Sequence, residues 1–325
     1  MIRKALFYQT NNTYPYRNLA VEEFLMKDCG DDECILYLWQ NRHTVVIGKN
    51  QNCWKECRVS QLEKDDGYLV RRLSGGGAVY HDMGNLNFTF LVRKGNYDVD
   101  RQMNVIIRAM QLMGLKAEKS GRNDALIDGR KFSGNAFYER NDFCYHHGTL
   151  LLDVNKQQMA KYLNVSADKL KSKGVESVRS RVANLCEFYP GVTVELVSAK
   201  LREAFGKIYG LEVTDYDTGR FSKETIEEHE NRFASWEWKY GRRIPFQYEF
   251  GRRFEWGDVQ LQLEVNEGII KNANVFSDSM DPEWAAELAE ALPGCRYEQQ
   301  AMCEVADRLS GQIAADVKRL IAESV

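Results

Sequence analysis

The stretch of this chain best suited to chemistry is Arg71-Arg72-Leu73-Ser74-Gly75-Gly76-Gly77-Ala78-Val79-Tyr80-His81-Asp82. Consecutive glycines open backbone conformations closed to other residues and let a ligand approach the main chain. Exposed N–H groups in such a turn, beside two guanidinium charges, suit a nucleotide phosphate or a carboxylate. A tight turn between two strands would have the same composition. Lys131 is the second candidate. It follows Asp128-Gly129, and an Asp-Gly pair between short apolar segments is a hairpin signal. Strand pairing would then fix the backbone that carries this ammonium, although an exposed strand lysine reads the same way. Asp124, just ahead of the hairpin, caps a turn, orients Lys131 or binds a metal. His146 and His147 are adjacent on a strand and point to opposite faces; His147 is either a pocket residue or a satisfied structural histidine. Asn85 and Asn87 either pin the loop or touch a ligand. No GxxxxGK[ST] loop is present, so any nucleotide site is of another type.

These residues need elements to hold them. Ala20, Val21, Phe24 and Leu25 share one face of a helix over 19–28. Strands are expected over 34–39, 44–47, 68–73, 86–92 and 149–154, where β-branched and aromatic residues gather. Met103, Ile106, Ile107 and Met110 recur at helical spacing, with Gly114 as a stop. Further helices fit 156–163 and 193–209. Strands and helices mix without a regular βαβ alternation, which predicts an α+β fold with mixed sheets and flanking helices. A boundary falls around 241–250, giving a domain over 1–245 and a small α+β C-terminal domain over 250–325. In the latter, Val259–Val265 alternates as a half-buried strand should. Asp281-Pro282-Glu283 fits an N-cap followed by a proline at the first helical position, and a second helix fits 298–309.

Composition narrows the class. A formal net charge of −3 argues against a nucleic-acid protein held by bulk charge. No apolar run reaches 18 residues, which excludes a transmembrane helix. The segment Met1–Phe7 lacks the long apolar core of a secretory signal. The eight cysteines therefore read as reduced cytoplasmic thiols. Cys53 and Cys57 have helical spacing but no second ligand pair, which disfavours a zinc site.

Several motifs then fall in one order. The glycine segment leads into Gly84-Asn85-Leu86-Asn87-Phe88. Gly121-Arg122-Asn123-Asp124 precedes Gly129-Arg130-Lys131-Phe132-Ser133-Gly134-Asn135-Ala136. His146-His147-Gly148-Thr149-Leu150-Leu151 follows, then Lys173-Gly174-Val175 and Ser177-Val178-Arg179-Ser180-Arg181-Val182-Ala183-Asn184-Leu185. This ordered set resembles the lipoate–protein ligases, and residues 250–325 resemble the accessory domain of the full-length bacterial members. The resemblance implies a fold like the catalytic domains of biotin protein ligases and class II aminoacyl-tRNA synthetases, with lipoate and ATP bound in the domain over 1–245. It implies a two-step reaction: lipoate and ATP, with Mg²⁺ carried on the nucleotide, give lipoyl-adenylate, and the acyl group passes to a lysine of an E2 lipoyl domain or a glycine-cleavage H protein. It makes Lys131 catalytic. It assigns Arg72, Gly77, Ala78, Val79, Tyr80 and Lys131 to ATP or lipoyl-adenylate, with Ser74, Gly75, Gly76, Asn85, Asp124, Ser133 and His147 as further candidates. Arg179 and Arg181 either form a solvated loop or face phosphate or the acceptor. Neither nucleic acid nor membrane is expected as a partner.

Two other readings remain open at the level of sequence. One is a lipoyl or octanoyl transferase without the activation step, with Cys144 as the thiol to watch for a thioester. The other is a non-catalytic lipoate sensor. The accessory domain and the intact Arg72–Lys131 set favour the ligase.

Overall fold

The computed structural model describes residues 1–121, 123–164, 182–241 and 244–325. They form two compact units. The first contains Met1–Val46, Cys57–Val70 and Val79–Ser235. The second contains Ile47–Glu56, Arg71–Ala78 and Trp236–Val325. The segment around the three glycines thus packs with the C-terminal part of the chain.

Among the described residues, the first unit is built on an eight-stranded mixed sheet in the order β11-β1-β2-β6-β10-β9-β8-β7. The strands are β1 (Lys4–Gln9), β2 (Glu33–Trp39), β6 (Asn85–Arg93), β7 (Ala117–Ser120), β8 (Asp124–Ile127), β9 (Arg130–Arg140), β10 (Phe143–Leu151) and β11 (Val213–Asp215). A smaller sheet has the order β4-β3-β5, from β3 (Thr44–Ile47), β4 (Tyr68–Arg71) and β5 (Val79–His81). On one face of the large sheet, Leu36, Phe88, Phe90, Phe132 and Leu150 form the core with Met103 and Ile106 of helix Val99–Gln111 and Leu201 and Phe205 of helix Val194–Tyr209. On the other face lies helix Pro15–Asp28, backed by helix Lys223–Ala234.

The expected α+β architecture is observed, with some shifts. The first helix begins at Pro15, with proline in its first turn, and is buried almost all round. Glu22 and Glu23, outside the apolar face of Ala20, Val21, Phe24 and Leu25, are buried as well. The strand placed at 149–154 starts at Phe143 and ends at Leu151. It starts earlier because Phe143–Leu151 pairs along its whole length with β6. The Asp128-Gly129 hairpin forms as expected: both residues are left-handed, with φ of +51° and +73°, as a two-residue turn requires.

In the second unit, β12 (Tyr248–Arg253), β13 (Asp258–Asn266) and β14 (Ile269–Ser277) form an antiparallel sheet. Val259, Leu261 and Leu263 point inward from β13 against Trp284, Leu288, Val317 and Leu320. The helix expected to start at Pro282 starts at Trp284. Asp281 Oδ1 accepts from the Glu283 N–H at 3.1 Å, which makes a turn of 281–283 ahead of the helix. A further helix, Gly311–Ser324, follows Gln299–Ala306.

Candidate active site

Lys131 is the second residue of strand β9, next to the hairpin turn. Its backbone is held on both edges: Leu126 pairs with it on one side, and on the other its carbonyl accepts from the Ala183 N–H at 2.8 Å. Its Nζ lies 2.6 Å from Asp124 Oδ1. The ammonium also lies over Gly134, where a Cβ would meet Lys131 Cε and Nζ at 3.0 Å. Glycine is the residue that leaves the ammonium this room. Asp124 is held in turn from the residue before it. Asn135 donates from its backbone N and from Nδ2 to Asn123 O, at 3.0 and 2.9 Å, and Asn123 Nδ2 donates to Asn135 O at 3.0 Å. The result is a fixed cation, half-exposed, with a carboxylate partner. That arrangement can stabilise negative charge developing on a transferring oxygen. Asp124 is thus placed as the partner of Lys131.

Ser133 is not brought to the same side. It pairs opposite Ala125 of the core, is fully buried, and its hydroxyl lies 3.5 Å from Asn135 Nδ2. His146 also points into the core, hydrogen-bonded through Nε2 to Asn135 Oδ1 at 2.8 Å. Burial lowers its pKa to about 3, so the imidazole is neutral and Nε2 is the donor. His147 points to the opposite face. Its Nδ1 meets Glu22 Oε1 at 2.9 Å, Thr89 donates to the same oxygen at 2.7 Å, and Trp39 Nε1 donates to Thr89 at 3.1 Å. These residues form a buried polar layer on the face that carries Lys131 and Gly134. Sequence reasoning missed Glu22, Thr89 and Asn135. The available signal was the alternation of Asn85, Asn87 and Thr89 with Leu86, Phe88 and Phe90, which marks a strand with one apolar and one polar buried face.

In the second unit, the glycine segment is anchored at its front and open behind. Arg71 is buried, donating to the carbonyls of Lys49 and Gln51 at 2.9 and 2.7 Å and to Trp238 and Lys239 at 2.9 and 2.7 Å. Arg72 turns onto its own loop: Nε donates to Ser74 Oγ at 3.0 Å, and Nη2 to the carbonyls of Gly75 and Gly77 at 2.6 and 2.8 Å. A Cβ on Gly75 would meet Ser279 O at 2.3 Å, and the Gly76 N–H donates to that oxygen at 2.9 Å. Gly77 has open space around it, and Gly77, Ala78 and Val79 are partly exposed. The exposed residues of the segment are therefore 77–79, of which Val79, in β5, is already paired with Val46. In the first unit, the Tyr80 ring is buried, with its hydroxyl 2.9 Å from His43 Nδ1 and its face stacked on Tyr162.

Asn85 and Asn87 are both buried, with Asn85 Nδ2 donating to Asn87 Oδ1 at 2.9 Å. Cys144 sits in the apolar core, and burial pushes its thiol up to about 12. A nucleophilic cysteine needs the opposite environment. Cys53 and Cys57 are buried and form no disulfide, and among the described residues no group of three or more His, Cys, Asp or Glu is placed to hold a metal ion. Arg122, Lys173-Gly174-Val175, Arg179 and Arg181 lie outside the described residues.

Residues 14–206 match the family of lipoyl protein ligase A/B catalytic domains, and residues 243–321 match the bacterial lipoate protein ligase C-terminus. A lipoate-protein ligase A of Psychrobacter cryohalolentis is 39% identical over 318 residues, covering 94% of this chain and 93% of that protein. The crystal structure of P. falciparum LipL1 in complex with lipoate is similar with a TM-score of 0.85 at 28% identity, covering 98% of this chain and 99% of that one. The bipartite lipoate protein ligase of Thermoplasma acidophilum, described with its E2 lipoyl domain, shares the fold with a TM-score of 0.64 at 24% identity, over 75% of this chain and 99% of that one. With a catalytic-domain match spanning the Lys131 hairpin and a second match over the C-terminal sheet and helices, the chain belongs to the lipoate–protein ligase family.

Proposed function

We propose that this chain is an ATP-dependent lipoate–protein ligase that activates lipoate to lipoyl-AMP and transfers it to a lysine of E2 lipoyl domains or of a glycine-cleavage H protein. The observation that carries this reading is the Lys131 ammonium, fixed over Gly134 by Asp124 on a strand paired along both edges. In the first step a lipoate carboxylate oxygen attacks the α-phosphorus of ATP, and the bond to the β-phosphate oxygen breaks to release pyrophosphate. Both reactants are anions, so a preorganised cation lowers the repulsion and stabilises the charge that develops. In the second step the acceptor amine attacks the acyl carbon, AMP departs with the bonding pair, and the amine gives up a proton. Lys131 can serve both steps without becoming acylated.

We assign Arg72, Gly77, Ala78, Val79, Tyr80 and Lys131 to ATP or lipoyl-adenylate, with Ser74, Gly75, Gly76, Asn85, Asp124 and His147 as further candidates. Ser133 acts, on this reading, as a packing residue beneath the strand. The partial exposure of 77–79 and the open space at Gly77 support a phosphate role for that stretch. Mg²⁺ would enter on the phosphates of ATP, since the described residues offer no cluster of three ligands; it supplies charge neutralisation there. Residues 1–245 would carry lipoate and ATP, and 250–325 would act as the accessory domain. No helix among the described residues is long and apolar enough to cross a membrane, and eight cysteines outside any disulfide suit a cytoplasmic enzyme.

The buried, protonated Cys144 favours the ligase over a thioester transferase. Lipoate-dependent ATP–pyrophosphate exchange tests the reading directly. Exchange is expected, together with mass addition to a lipoyl-domain lysine. Transfer from supplied adenylate without exchange would replace this reading with the transferase, and binding without either would replace it with the sensor.

A further inference from the structure

Strand β6 sends Leu86, Phe88, Phe90 and Val92 into the core, which leaves Asn85, Asn87 and Thr89 on the opposite face. Residues directly opposite in antiparallel pairs share a face. Asn87 lies opposite Trp39 on one side and Thr149 on the other. Thr149 Oγ1 is 3.4 Å from the Gly134 N–H, and the Lys131 ammonium lies over Gly134. One row therefore runs from Lys131 across Gly134 and Thr149 to Asn87, and it deepens on the way: Thr149 is half-buried and Asn87 is 2% exposed.

On the neighbouring rung the polar groups pair with one another: His147 Nδ1 and the Thr89 hydroxyl meet Glu22 Oε1, and Trp39 Nε1 donates to Thr89. The end of the Lys131 row is different. Asn85 Nδ2 uses Asn87 Oδ1, which leaves Asn87 Nδ2 and Asn85 Oδ1 buried without a hydrogen-bond partner in the protein. Buried amides left this way cost stability, and native proteins keep few of them.

We propose that Asn87 is a further binding residue of this site, donating from Nδ2 to the acyl phosphate of the activated substrate. The inference rests on the adenylating reading above and names a residue which that reading does not assign. Two strand spacings separate the strands of Gly134 and Asn87 by about 10 Å. Two donors standing above strands at that spacing, each making a hydrogen bond of about 3 Å toward the other, leave about 4 Å between their acceptors. The carbonyl and phosphoryl oxygens of a mixed anhydride can bridge that gap, whereas one carboxylate is too small. Asn87 therefore discriminates in favour of the adenylate over free lipoate.

The test compares binding of lipoate and of a non-hydrolysable acyl-sulfamate analogue of lipoyl-adenylate by calorimetry. Asn87→Leu, in the full-length protein, should weaken the analogue about 10- to 100-fold and leave lipoate within about twofold. Asn87→Asp keeps the acceptor that Asn85 uses and puts a carboxylate oxygen where the donor stood, adding repulsion of the phosphate to the lost hydrogen bond, so it should weaken the analogue at least as much. It also serves if the leucine variant does not fold. Analogue affinity unchanged in a folded variant, or equal weakening of both ligands, would overturn the proposal. Failure of the wild-type protein to bind the analogue would instead sink the adenylating reading, before any variant is compared.

Discussion

Lys131 is where the chemistry and the geometry meet most closely. Its ammonium has one carboxylate partner, Asp124, and a glycine beneath it, so it is held without being saturated. Removing one preorganised donor of this kind costs about 10²–10³ in rate. Lys131→Ala should therefore suppress both adenylation and transfer in single-turnover assays, with unchanged circular dichroism and melting. Lys131→Arg should recover little, because a planar fork does not replace a compact charge over a glycine. Near-native rates in a folded alanine variant would place the active site elsewhere. Cys144 carries the opposite expectation. Its thiol is buried and held protonated, so Cys144→Ser should retain most of its activity. Intact-mass analysis after incubation with acyl donor should find no adduct there. His146 gives a pH signature. Burial lowers its folded pKa to about 3 against an unfolded value of about 6.5. The stability it confers is complete above the unfolded value and is lost as pH falls below it, because the unfolded chain takes up a proton that the folded one refuses. The melting temperature should fall more steeply between pH 7 and 5 in the wild type than in His146→Gln; parallel curves would remove this role.

The hairpin of β8 and β9 aligns the site as an element. Asp128-Gly129 sets the turn, the Asn123–Asn135 clamp sets the base, and Gly134 leaves room for the ammonium. Gly134→Ala would place a methyl 3.0 Å from Lys131 Nζ and push it aside. A displacement of about 1 Å at a reacting group can cost about 10²-fold. Both half-reactions should therefore slow by at least about tenfold with little change in melting, and unaltered rates would mean the ammonium has slack. This element was legible in the sequence because Asp-Gly between apolar segments is local information. The polar face that it joins was not. The burial of Glu22 left no trace there, because a helix covered on two sides cannot be told from an amphipathic one by Ala20, Val21, Phe24 and Leu25 alone. Ser133 looked like a site residue because it lies within the motif, yet the register shift between Ala125 and Leu126 puts it on the core face. No local pattern carries that irregularity.

At the scale of the molecule, the glycine segment was legible as a special turn, but its anchoring was not. Gly75 and Gly76 rest on Ser279, and Arg71 on Trp238 and Lys239, contacts between residues far apart in sequence. A chain ending near residue 245 loses the Ser279 anchor. If residues 250–325 assist adenylation and shelter the adenylate, that truncation should lose adenylation far more than transfer from supplied lipoyl-adenylate. Equal loss of both steps would count against this division of labour, and intact adenylation would remove it. The same anchoring bears on synthesis. The glycine segment leaves the ribosome some two hundred residues before the carbonyl of Ser279 that its Gly76 N–H binds. At translation speeds of about 5–20 residues per second, roughly 10–40 s pass before Gly75 and Gly76 can rest on Ser279. The nascent chain must keep this stretch free of wrong contacts throughout that interval, so the last eighty residues complete the loop as well as their own small core.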